Sequence, residues 1–180
     1  PPLPGVEVRV VGPDRNAVRS GDAGELWVRG PNVMKGYYKD PQQTAAAIDS
    51  EGWFKTGDLV RMEEGNLFIV GRSKELIIRY GFNVHPAEVE SVLNLHPALA
   101  RSAVVGRSVP SGDEEIIAFV QCRQDASVTA AELSSFVAKH LAPYKMPSQF
   151  VFVSEFPVTS TGKIIKGELA KRVAITTTQS

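Results

Sequence analysis

Around Gly71 the hydrophobic pattern of this chain changes character, and any fold has to accommodate the break. Before it, short apolar runs alternate with polar residues between Gly, Pro, Asp and Asn, as in Val6 to Val11 and in ELWVR at Glu25 to Arg29. A period of two between turn residues predicts β-strands. One short helix interrupts them, since Asp40 and Pro41 ahead of QQTAAAI supply an N-cap and a proline at the first helical position. Leu59 to Met62 and Leu67 to Val70, joined by EEGN, predict a hairpin that turns at Gly65 and Asn66.

Beyond Gly71 strands alternate with helices. Leu76 to Arg79, Ser102 to Val105, Ile116 to Cys122 and Phe150 to Val153 read as strands, and Pro86 to Leu95 as a core-packing helix with Val89, Val92 and Leu93 turned inward. A second helix runs from Thr129 to Leu141: Thr129 and Glu132 make a capping box, and Leu133, Phe136, Val137 and Leu141 lie on one stripe. Ile164 to Arg172 begins a terminal helix, and TTTQS reads as a frayed end. The pattern predicts an α+β chain in two parts, a small β-rich piece over residues 1–72 and a compact α+β piece over 73–180. The GRSKEL junction is short, charged and free of proline, which lets two units rotate about few backbone torsions.

At 180 residues, 43% of them hydrophobic, the chain can bury a sizeable core. Twenty Lys plus Arg balance twenty Asp plus Glu, so no overall positive field recruits nucleic acid or an anionic membrane; any phosphate must be held by local groups. Cys122, the only cysteine, cannot form an internal disulfide; it reads as a small buried apolar residue and points to a reducing, cytoplasmic setting. No apolar run approaches the roughly 18 residues of a membrane span, and PPLPGVEVRV has no signal-like core. Opening on prolines without an initiator Met, the sequence reads as a piece of a longer protein.

Three places carry candidate chemistry. In Thr56-Gly57-Asp58 the glycine permits a tight turn and Asp58 presents a carboxylate at the start of a strand. One carboxylate can accept a hydrogen bond from each of two adjacent sugar hydroxyls, and the same residues suit an Asx turn. Fourteen residues on, Arg72 stands at the far end of the hairpin, where a returning strand brings it towards Asp58. The two form either one binding site or a surface ion pair worth under about 1 kcal/mol. In PVTSTGKIIK, Lys163 follows a glycine between apolar stretches. A lysine on such a mobile loop is either delivered as a point charge to an oxyanion or phosphate, or simply solvated. The loop lacks the GxxxxGK phosphate-cradling spacing. His85, His96 and His140 have no metal-ligand spacing, which predicts no metal site, and Ser73, Ser102 and Ser108 lack the setting of a hydrolase nucleophile.

Taken together, WFKTGDL, GRSKELIIRYGFNVHPAEVE and YKMPSQFVFVSEFPVTSTGKIIKGEL resemble, in order and spacing, the carboxy-terminal part of adenylate-forming acyl-CoA synthetases. GELWVRGPNVMKGYYKDP with its following helix fits the same AMP-binding superfamily. The resemblance implies ATP-dependent activation of a small-molecule carboxylic acid, fatty acids included, to an acyl-adenylate with release of pyrophosphate, then transfer to CoA with release of AMP. It implies that Asp58 binds the ribose hydroxyls of ATP, that Arg72 assists at the ribose and phosphate edge, and that Lys163 bridges the substrate carboxylate and the α-phosphate. Asn83 matches a nucleotide-phosphate contact that is usually Gln in coumarate-type ligases. Lys74 falls at the interdomain hinge, and Gly81 on the loop lining the CoA tunnel. The second piece then corresponds to the family's mobile lid. FNVHPAEVE is similar to the CoA ligases, which sets CoA ahead of the alternatives: a peptide-synthetase or luciferase-like branch, or a non-catalytic binding module of the same fold. The family's phosphate loop, Mg2+-binding glutamate and acyl pocket precede this segment. The piece alone is therefore expected to be inactive, and the acid stays open among acetate, malonate, aryl acids and the acids of fatty acid metabolism.

Overall fold

The computed structural model describes residues 2–175, so the TTTQS end lies outside the described residues. The chain divides between Lys74 and Glu75 into two compact units.

Turn residues spaced along the first unit fold it into an antiparallel sheet of β1 (Glu7–Val11), β2 (Ala23–Arg29), β3 (Phe54–Glu63) and β4 (Asn66–Arg72), in the order β1-β2-β3-β4. Helix α1 (Pro41–Ala47) is inserted between β2 and β3. It starts where the sequence places it, with Asp40 Oδ1 accepting a hydrogen bond from the Gln43 amide at 2.8 Å. The β3–β4 turn falls one residue earlier than expected. Glu64 and Gly65 carry positive φ of 50° and 76°, and Asn66 already pairs with Glu63. A two-residue turn with both φ positive matches the twist of the flanking strands, and that outweighs the cost of a left-handed glutamate. The buried apolar side chains described here are few: Val10, Val11, Trp53 and Val60. The guanidinium groups of Arg9 and Arg29 lie over the Trp53 ring at 4.0 and 4.6 Å, covering with cations what more apolar residues would otherwise cover.

In the second unit the long hairpin of β7 (Leu99–Ser108) and β8 (Glu114–Cys122) takes a parallel partner, β9 (Gln149–Phe152), giving the order β7-β8-β9. Strand β8 is apolar on both faces because both are covered. Ile116, Ala118 and Val120 face a cluster containing Val89 and Leu93 of α2 (Pro86–Leu93) and Leu133 and Val137 of α3 (Ala130–Val137). Ile117 and Phe119 face Phe156 and, from α4 (Lys166–Ile175), Leu169 and Val173. The expected capping box is present, with Thr129 Oγ1 accepting from the Glu132 amide while the Glu132 carboxylate accepts from the Thr129 amide at 2.7 Å.

Four sequence expectations shift here. Helices α2 and α3 end at Leu93 and Val137, not at Leu95 and Leu141. Helix α4 starts at Lys166, not Ile164, because Ile164 bridges Val158 and the Ile165 amide donates to the Pro157 carbonyl. Cys122 is half-buried, not buried. A short hairpin of β5 (Ile77–Arg79) and β6 (Phe82–Val84) adds a strand not read from the sequence, three residues being too few to show alternation.

Candidate functional site

Thr56-Gly57-Asp58 lies inside β3, not at a turn between strands. Glu25 of β2 pairs with Leu59 and Trp27 with Lys55, so three residues of β3 stand opposite the single Leu26 and bulge from the ladder. Gly57 adopts a φ of +74° within this bulge. Its amide donates to Glu25 Oε1 at 3.1 Å, the other oxygen of that carboxylate accepts from the Trp27 indole at 3.0 Å, and Thr56 Oγ1 donates to the Leu26 carbonyl at 2.8 Å. Thr56 Oγ1 also accepts from the Asp58 amide at 3.0 Å. The bulge thus holds the backbone on both sides of Asp58. On the next strand Arg72 falls directly opposite Asp58 in register, with its Nε 3.0 Å from Asp58 Oδ1. The hairpin therefore brings these two residues together as the sequence predicts. Asp58 keeps 29% of its side chain exposed and Arg72 65%, so the carboxylate is open to a ligand as well as to its partner. Ser73 Oγ donates to the Gly57 carbonyl at 3.2 Å, which ties the residue ahead of Lys74 to the bulge; Lys74 itself is exposed in a 3-10 turn at Ser73–Glu75.

Lys163, Gly81 and Asn83 belong to the second unit. Lys163 sits where a tight turn closes, and the expectation of a mobile loop meets a well-bonded backbone. Val158 bridges Ile164, the Thr159 amide donates to the Lys163 carbonyl at 2.8 Å, and the Gly162 amide donates to the Thr159 carbonyl at 2.9 Å. The Lys163 amide donates to Thr159 Oγ1 at 3.2 Å, and Arg101 reaches over to donate to the Gly162 carbonyl at 3.0 Å. What stays free is the side chain: Lys163 is exposed, and its ammonium makes no ion pair among the described residues.

Gly81 forms the β5–β6 turn with Tyr80, at φ of 76° and 53°, and a Cβ placed on it would meet nothing within 4 Å. Asn83 is exposed on β6, in register with Ile78. This hairpin is pinned to the β7–β8 hairpin by two acids, as the Ile78 amide donates to Glu114 Oε2 and the Tyr80 amide to Asp113 Oδ1, each at 2.8 Å.

The sequence reading passed over Lys166, three residues beyond Lys163. Its ammonium lies 2.6 Å from Glu75 Oε2 and 2.9 Å from Glu90 Oε1, with 22% of the side chain exposed. Burial works to lower its pKa, but the two carboxylates outweigh it and hold the ammonium above its ordinary value. Glu90 Oε1 also accepts from the Val104 amide of β7 at 2.7 Å. Nearby, Lys145 pairs with Glu88 at 2.6 Å, and burial holds His85 below its ordinary pKa.

No group of three or more His, Cys, Asp or Glu among the described residues is placed to hold a metal ion. No described helix is long and apolar enough to cross a membrane.

Residues 88–163 match the model of the AMP-binding enzyme C-terminal domain, and residues 1–38 that of the AMP-binding enzyme. The chain is 41% identical over 170 residues to 4-coumarate–CoA ligase-like 2 of Arabidopsis thaliana, covering 93% of this chain and 30% of that protein. It is 42% identical over 169 residues to a long-chain-fatty-acid–CoA ligase of Yersinia pestis, covering 93% of this chain and 30% of the relative. The ATP-bound crystal structure of MatB from Rhodopseudomonas palustris superposes with a TM-score of 0.91 at 36% identity, over 97% of this chain and 35% of that one. The chain thus spans about a third of the length of these relatives.

Proposed function

Since the chain belongs to the AMP-binding, adenylate-forming enzymes, we propose that the whole protein is an AMP-forming acid–thiol ligase. An oxygen of the substrate carboxylate attacks the α-phosphorus of ATP; the bond from that phosphorus to the bridging oxygen breaks, and pyrophosphate leaves with the electron pair. The thiol of CoA then loses its proton and attacks the acyl carbon, and AMP departs on the former carboxyl oxygen. Asp58 accepts hydrogen bonds from the two ribose hydroxyls, one per carboxylate oxygen, and Arg72 beside it faces the phosphate edge. Asn83 touches the nucleotide phosphate, and Gly81 leaves room for the thiol arm. Lys74 is the pivot about which the unit that begins at Glu75 turns between the two half-reactions, because one pocket must exclude water from a reactive mixed anhydride and then admit a thiol.

The observation that carries this reading is the Lys163 ammonium, without an ion-pair partner among the described residues, on a turn whose backbone is already bonded. With the backbone of the turn held, only the side-chain torsions of Lys163 have to settle for its ammonium to meet an oxygen that gains charge in the transition state. Aryl and fatty acids head the substrate panel, following the names of the relatives.

The test is Lys163→Ala in the full-length protein. Pyrophosphate exchange should fall by roughly 10²- to 10³-fold, while thioester formation from supplied acyl-adenylate survives. Equal loss of both half-reactions would overturn the assignment.

A further inference from the structure

We infer that Lys166 is the positioning residue for Lys163: its ammonium locks the base of the Lys163 turn to the first residue of the second unit and to α2. This rests on the reading of Lys163 given above. Three observations support it. Lys166 opens α4 and follows the Lys163 turn with only Ile164 and Ile165 between, both held in place by Val158 and Pro157. Its two acids come from far along the chain, Glu75 lying 91 residues away and beginning the unit, and Glu90 lying on α2. Glu90 Oε1 is shared with the Val104 amide, so the same oxygen also fixes α2 to β7.

One half-buried ammonium therefore joins the unit's first turn, α2, β7 and α4. With Arg101 holding the Gly162 carbonyl from β7, the turn is gripped at its tip and at its base. A unit that reorients as a body needs such a lock, since any slack between its first residue and Lys163 becomes an error in where the ammonium arrives. Misplacement by about 1 Å can cost roughly 10²-fold in rate.

The experiment uses the full-length protein and measures pyrophosphate exchange and, separately, thioester formation from supplied acyl-adenylate. Lys166→Met is expected to lower the adenylation kcat by roughly 10²-fold, with the KM for ATP within about twofold of the parent and thioester formation within about threefold. Lys166→Arg should restore most of the rate, because a guanidinium fork can reach both carboxylates. Lys166→Met leaves two acids facing each other and can fail to fold, so Glu75→Gln provides the second variant. It keeps the Lys166–Glu90 pair, frees the base of the turn from the unit's first residue, and should cost roughly tenfold in adenylation alone. Unchanged adenylation in folded Glu75→Gln, or equal loss of both half-reactions, overturns the inference. Lys163→Ala run alongside separates the two claims. If it adenylates normally, the reading of Lys163 fails and takes this inference with it; if it is dead while Glu75→Gln and Lys166→Met match the parent, only the positioning role fails.

Discussion

At Gly57 a φ of +74° coincides with open space, since an added Cβ would meet Ser73 Oγ only at 3.8 Å. The cost of a side chain there is conformational, not steric. Gly57→Ala should lower stability by about 1–2 kcal/mol in urea unfolding, and the accompanying shift of the bulge should weaken nucleotide binding in the full-length protein. Unchanged stability would mean that the bulge relaxes into the ordinary ladder. The Asp58–Arg72 contact was legible in the sequence because two strand patterns joined by a turn leave little freedom in which ends meet. The bulge was not, since Gly followed by Asp reads equally well as a turn. Lys166 was invisible for another reason: its partners lie 91 residues away and on a different helix, and no local spacing encodes such a meeting.

Among the elements, α3 combines a cap legible in four letters with an end that was not. The Glu132 carboxyl is held below its ordinary value of 4.5, first by the Thr129 amide and then by the Thr129 hydroxyl. The folded state therefore binds fewer protons than the unfolded chain around that value. The contribution is fully present above pH 4.5 and is lost as pH falls through the lower folded value. Glu132→Gln should flatten that part of the acid-unfolding curve, matching the parent at low pH and falling below it at neutral pH, where the ionised carboxylate contributes; a curve unchanged in slope would show that the cap does not titrate with folding. The starts of α1 and α3 were legible because Asp40-Pro41 and Thr129 with Glu132 announce themselves, whereas α4, which carries no such cap signal, begins two residues later than its apolar pattern suggests. Helix ends were not: after Val137 the chain continues in turns, with the His140 amide donating to the Val137 carbonyl, so Leu141 stays buried beyond the helix and mimics one more helical turn in the pattern.

Across the whole molecule, burial is unequally shared. Both apolar clusters lie beyond Lys74, wrapped on the two faces of β8, while four buried apolar side chains serve the first sheet. The near-continuous apolar run of β8 fits a strand covered on both faces, although the sequence pattern alone established only that it is a strand. Which segments do the covering was beyond the sequence, because α2, α3 and α4 are all apolar on one stripe and could have been dealt to either face. Strand β4 ends the first sheet as an outer strand and carries Phe68 at 48% and Ile69 at 75% exposure. Such a margin, with unpaired amides and greasy side chains, invites pairing with a neighbouring chain. Handled at high concentration, this 180-residue polypeptide should scatter light and elute early on gel filtration, and Ile69→Lys should return it to monomer dimensions.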